Sequence, residues 1–153
     1  MNPKKLAREQ LDDKLRQLRP FLSFSSPPKG WVRAIRDALG MSGRQLAIRS
    51  GLIQQGIASI ERGEIEGSVT MNTLKRVSEA LDCVFVYGIV PKTSLEEIVK
   101  NRAKHIATRT IDHISHSMKL EHQELGKREL QKALDSEIGK LVNEMPRMLW
   151  EEK

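Results

Sequence analysis

Two adjacent carboxamides, Gln54 and Gln55, followed one turn later by the hydroxyl of Ser59, are the side chains of this 153-residue chain best arranged for recognition chemistry. A glutamine carboxamide sets a donor beside an acceptor, the pattern that N6 and N7 of adenine complement in the major groove of DNA. Ser59 can reach a base or a sugar from the same face. Ser42, Arg44, Arg49 and Arg62 stand where the backbone of a duplex should pass. Such groups hold and orient a duplex without reading its sequence. Ser42 also opens a helix whose free amides can hold a phosphate. Arg36 and Glu61 are expected to form an ion pair with each other within the domain.

The elements that must position these groups lie between Met41 and Gly63, MSGRQLAIRSGLIQQGIASIERG. The pattern predicts a helix from about Ser42 to Arg49, a turn at Gly51-Leu52, and a second helix from about Gln54 to Arg62. Leu46, Ala47, Leu52, Ile57 and Ile60 fall inward at helical spacing. Ala47 is small where the helices must approach closely, and Gly51 suits a turn that needs positive φ. This is a helix-turn-helix pattern, whose second helix lies in the major groove.

Around this motif the chain reads as mainly helical. Residues 1–22 form a helix capped by Asn2, with Pro3 in its first turn, a stripe of Leu6, Leu11, Leu15 and Leu18, and Pro20 as its end. Residues 23–30 are a linker by composition. Residues 31–82 are the helix-turn-helix domain. Its first helix is Trp31 to Leu39, stopped by Gly40. After the motif comes a loop over Gly63–Val69, then a helix capped near Thr70 or Asn72 with Leu74, Val77 and Leu81 inward. Residues 83–91, CVFVYGIVP, read as one short strand. A strand cannot satisfy its own backbone. Pairing with a second copy through Val84, Phe85, Val86, Tyr87 and Ile89 is one solution, and an extended segment packed on the helices is the other. Residues 92–153 form two helices. One runs from Ser94 to about Met118, with Ser94 and Glu97 as a capping box. The other runs from about Lys127 to Leu149, and Pro146 kinks or ends it.

Composition narrows the function classes. The net charge is +6, which suits a polyanionic partner. The excess is concentrated in residues 1–29, with seven Lys/Arg against three Asp/Glu, while residues 30–91, which hold the motif, are nearly neutral with seven against six. No apolar run is long enough for a membrane span, and the N-terminus lacks a signal-peptide core. The single cysteine, Cys83, fits a reducing, cytoplasmic setting. His105, His113, His116 and His122 lack the Cys or carboxylate neighbours that would complete a metal site. No phosphate loop, nucleophile elbow or carboxylate pair stands out. The expectation is a protein with no catalysis, cofactor or metal.

With Leu46-Ala47, Gly51, Ile57, Ile60-Glu61 and Gly63 at their spacings, residues 31–81 resemble the Xre family, the group of phage repressors and Cro proteins. The resemblance implies a lambda-repressor-like helix-turn-helix domain in which Gln54, Gln55 and Ser59 reach bases and Arg36 pairs with Glu61. It also implies that the amides near Asn72 and Thr73 touch phosphate. Two residues depart from the family. Gly43 replaces a frequent Gln, and Ile53 replaces a Ser or Thr cap, at a cost of about 1 kcal/mol to the helix start.

The segments PPKGWVRAIRDALGMSGRQLA, GSVTMNTLKRVSEALDCVFVYGIVP and ISHSMKLE are similar to a narrower group, mobile mystery protein A. Its members are encoded beside a Fic-domain protein. That resemblance implies the DNA-binding, antitoxin-like half of a mobile two-gene module in a bacterial cytoplasm, associated with the nucleoid when bound. Fic inhibitors often carry Ser/Thr-x-x-x-Glu-Gly/Asn. Here the only Glu-Gly is Glu66-Gly67, with Arg62 four residues earlier, so that route of inhibition is not supported.

The expectation is a homodimeric, sequence-specific regulator that binds an inverted-repeat operator in double-stranded DNA and represses its own operon. Two alternatives stand beside it. One is a protein–protein inhibitor of a toxin with secondary DNA binding, using the helices from Ser94 to Leu149. The other is a stand-alone phage-type repressor.

Overall fold

A computed structural model describes residues 2–120 and 126–151. Seven α-helices occur among them: α1 (Pro3–Arg16), α2 (Trp31–Ala38), α3 (Gly43–Ser50), α4 (Gln54–Glu66), α5 (Met71–Ala80), α6 (Leu95–Leu120) and α7 (Lys127–Glu144). Short 3-10 turns follow α1 and α7. The chain divides into two compact units, residues 23–89 and residues 1–22 with 90–153.

In the first unit, α2 to α5 enclose a core of Val32, Leu46, Ala47, Ile57, Ile60, Val77 and Leu81. Leu46, Ile57 and Val77 are fully buried, each stabilising the unit by roughly 1.5–3 kcal/mol. α3 packs against both α4 and α5, and α2 against α4. A capping box starts α3: the Ser42 hydroxyl accepts from the Gln45 amide at 3.1 Å, and the Gln45 side chain accepts from the Ser42 amide at 2.8 Å. Gly51, at φ 67°, ends it.

The loop expected over Gly63–Val69 begins later than its glycine suggested. α4 continues to Glu66 and stops at Gly67, which has φ 73°. Gly63 is a buried packing position. A Cβ there would come within 3.0 Å of both Ser68 and Val69, so glycine is kept for close approach and not to break the helix. Thr70 caps α5, its hydroxyl accepting from the Thr73 amide at 3.2 Å.

The strand expected at Cys83–Pro91 requires correction. There is no strand among the described residues, and Cys83 to Val90 follows an irregular path. The β-branched and aromatic composition is real, but a ladder needs a second edge, and the single chain supplies none. Val84, Val86, Tyr87 and Ile89 remain 76–87% exposed, so they do not pack on the helices either. The Phe85 and Tyr87 rings stack at 6.2 Å.

In the second unit, α6 and α7 pack along each other around Val99, Ala103, Ala107, Leu141 and Leu149. α7 ends at Glu144, short of the expected Leu149. Met145 turns to φ 44° and Pro146 cannot continue the ladder. The 3-10 turn that follows returns Leu149 to the core, fully buried. Arg102 holds it there by donating to the Leu149 carbonyl at 2.6 Å and the Glu151 carbonyl at 2.8 Å.

α1 ends at Arg16, before Leu18 and Pro20. Its apolar stripe is shallow, with Leu6 and Leu11 both exposed. Polar contacts anchor it instead. The Asp12 carboxylate accepts from the amides of Leu95 and Glu96 at 2.7 and 3.0 Å, capping α6 together with Ser94. The buried Arg8 donates to Glu96 at 2.6 Å. No described helix is long and apolar enough to cross a membrane.

Candidate nucleic-acid interface

The start of α4 is fixed from behind. The Leu52 amide donates to the Ala47 carbonyl at 2.8 Å, closing the turn, and Leu52 packs on the core. Ile57 and Ile60 hold the inner face of α4. Gln54 and Gln55 occupy its first turn and are exposed, as is Ser59. Residues four apart share a helix face, so Gln55 and Ser59 lie in one row. Ile53 makes no side-chain cap and is 70% exposed.

Arg36 and Glu61 lock the other side of α4. Arg36 donates from Nε to Glu61 Oε1 at 2.6 Å and from Nη2 to Oε2 at 3.2 Å. Its Nη1 donates to the Met41 carbonyl at 2.8 Å and lies 3.0 Å from Asp37. The hydrogen bond to Glu61 raises the Arg36 pKa. Burial lowers it in part, and the charges of Glu61 and Asp37 add to the rise.

The groups expected on the DNA backbone are not equally available. Ser42, Arg44, Arg62 and Asn72 are exposed. The hydroxyl of Ser42 serves its own capping box. Thr73 is half-buried, with its amide and hydroxyl both engaged by Thr70. Arg49 is engaged within the domain. It donates to the Ala80 carbonyl at 2.7 Å and to Asp82 at 2.9 Å, satisfying the end of α5. Arg76 returns the arrangement, donating to the carbonyls of Ser50 and Gly51 at 2.9 and 3.2 Å. The ends of α3 and α5 therefore cap each other through two guanidinium groups.

Sequence reasoning missed Arg76, and no local pattern marks a cap supplied by another helix. It also missed Glu64, for which a signal exists. Gly30 precedes α2 and offers no side chain, so the first amides of α2 need an acceptor from elsewhere. The Glu64 carboxylate supplies it, accepting from the amides of Trp31 at 2.7 Å and Val32 at 3.0 Å. Glu64→Ala is expected to destabilise the unit by about 1–2 kcal/mol, read as a lower denaturant midpoint with an unchanged slope. An unshifted midpoint would remove this role.

Val84, Phe85, Val86, Tyr87 and Ile89 lie together in the irregular segment after α5. Cys83 is half-buried and donates to the Leu81 carbonyl at 3.4 Å. His105, His113 and His116 are exposed on α6, and His122 lies outside the described residues. Among the described residues no group of three His, Cys, Asp or Glu could hold a metal.

No solved structure matches the chain. A stretch of 67 residues is 42% identical to an uncharacterized HTH-type transcriptional regulator, y4dL, of Sinorhizobium fredii; it covers 44% of this chain and 32% of that protein. The chain thus spans about a third of the length of that curated relative. Residues 32–85, from α2 through the start of the exposed apolar segment, match the protein family described as Helix-turn-helix.

Proposed function

We propose that the chain is a sequence-specific double-stranded DNA-binding transcriptional regulator. One observation carries this reading: the first turn of α4, rigidly seated by Leu52, Ile57 and the Arg36–Glu61 pair, presents two unburied carboxamides to solvent. Gln54, Gln55 and Ser59 read base edges in the major groove. Arg44, Arg62 and the exposed starts of α3 and α5, at Ser42 and Asn72, meet phosphates. Arg49 is left out of the footprint because its donors already serve Ala80 and Asp82. The HTH-type regulator of Sinorhizobium fredii supports a regulatory role.

The working form in this reading is a homodimer joined through the exposed segment Val84–Ile89, bound to an inverted repeat whose half-sites lie about one helical turn apart. Repression of its own operon is the expected output. The antitoxin-like pairing with a Fic-domain protein rests on the resemblance to mobile mystery protein A alone. Selection of bound duplexes from a random pool, with and without the product of the adjacent gene, tests the reading. The expected result is enrichment of one inverted repeat. A pool that stays random overturns it.

A further inference from the structure

The outer face of α4 continues past the residues that read bases. Ala58, Glu61, Arg62 and Ile65 form one side of a groove whose other side is Lys29 and Arg33, from the residue before Gly30 and from the first turn of α2. All three cations are exposed. Two carboxylates of α4 are already committed. Glu61 is held by Arg36 at 2.6 Å, and Glu64 accepts from the amides that begin α2. Among the described residues neither Lys29 nor Arg62 lies within ion-pair distance of a carboxylate, and Arg33 has only a 3.8 Å approach to Asp37. With three cations against the one lining carboxylate, the groove carries net positive charge.

Its position relative to the reading face fixes what that charge would meet. Arg62 follows Gln55 by seven residues, two helical turns on the same face, or about 10 Å along the axis. The major groove is about 12 Å wide. With Gln55 at the bases, Arg62 stands at the groove rim, where the sugar-phosphate strand runs. Lys29 and Arg33 line the same groove from the side of α2.

We propose that this groove binds phosphodiester oxygens of neighbouring phosphates in the DNA backbone, with Lys29 and Arg33 each a phosphate-contacting residue beside Arg62. The inference rests on the DNA-binding reading and extends its footprint from α4 onto α2. No motif in the sequence singles out Lys29 or Arg33. One lies in a Pro-rich linker, and the other looks like an ordinary solvated helix charge.

The test is the salt dependence of binding to a random-sequence duplex by the full chain. Each lost phosphate contact lowers the slope of log K against log salt by about 0.9. Lys29→Ala with Arg33→Ala should therefore lower it by about 1.8 for each bound protomer, while leaving the thermal midpoint and the preference for the selected operator unchanged. Lys104→Ala, at an exposed cation on α6 that does not line the groove, is the control and should leave the slope nearly intact. An unchanged slope in the double variant, or an equal fall for Lys104→Ala, overturns the inference. The random duplex makes this outcome independent of base reading. A wild-type chain that holds no duplex at any salt would instead overturn the DNA-binding reading itself.

Discussion

Gln54→Ala combined with Gln55→Ala is expected to erase the preference for operator over random DNA while sparing the fold. A bidentate amide–adenine pair discriminates by roughly 1–3 kcal/mol. Two such pairs contribute at least about 2 kcal/mol per half-site, on the order of 30-fold, and a symmetric operator squares the effect to about 10³-fold. Non-specific binding should persist, because the phosphate contacts come from other side chains. Stability should not fall. Both glutamines are exposed, and alanine is the better helix former. The measurement is a competition titration of operator against random duplex, with helical content recorded alongside. Wild-type discrimination in the double variant would end the role assigned to these residues. Loss of discrimination together with loss of helix would instead assign them a structural role.

What the sequence made legible follows from the range of the forces involved. Local patterns specified local structure. The spacing of Leu46, Ala47, Ile57 and Ile60 placed the core of α3 and α4, and Ser42 marked the start of α3. Interactions between elements were harder to read. Glu64 caps a helix more than thirty residues earlier in the chain, and Arg49 and Arg76 exchange caps between α3 and α5. No periodicity reports such contacts. Two glycines show the same limit. Gly51 turns the chain at positive φ, as its place between two helical patterns implies, whereas Gly63 sits inside a helix because Ser68 and Val69 crowd it. The Val84–Ile89 segment misled for another reason. Its composition favours a strand, but strand formation depends on a second edge as much as on propensity. Polar anchoring of α1 by Arg8 and Asp12 likewise escaped a reading that weighed only its leucines.

The largest effect on stability is expected from Arg36→Ala. The Arg36 and Glu61 side chains are only 12% and 11% exposed. Removing the guanidinium leaves a buried carboxylate without its counter-charge, at a cost of about 3–5 kcal/mol. It also frees the Met41 carbonyl, which Arg36 satisfies ahead of α3. Against a total stability of about 5–15 kcal/mol for a domain, such a loss is a large share of what keeps the unit folded. The expected result is a denaturant midpoint lowered far more than for Glu64→Ala. Replacing both partners by apolar residues, Arg36→Met with Glu61→Leu, should restore most of the stability, because the penalty comes from the unpaired charge. The Arg36 pKa is raised above its ordinary value, so its contribution is complete below the unfolded value and is lost only as strongly alkaline pH exceeds the folded one. Arg36 therefore adds no slope to wild-type stability between about pH 5 and 9. A double variant as unstable as Arg36→Ala alone would show that packing, not charge, explains the loss. A double variant that regains stability but binds operator poorly would show that the pair also sets the angle at which α4 enters the groove.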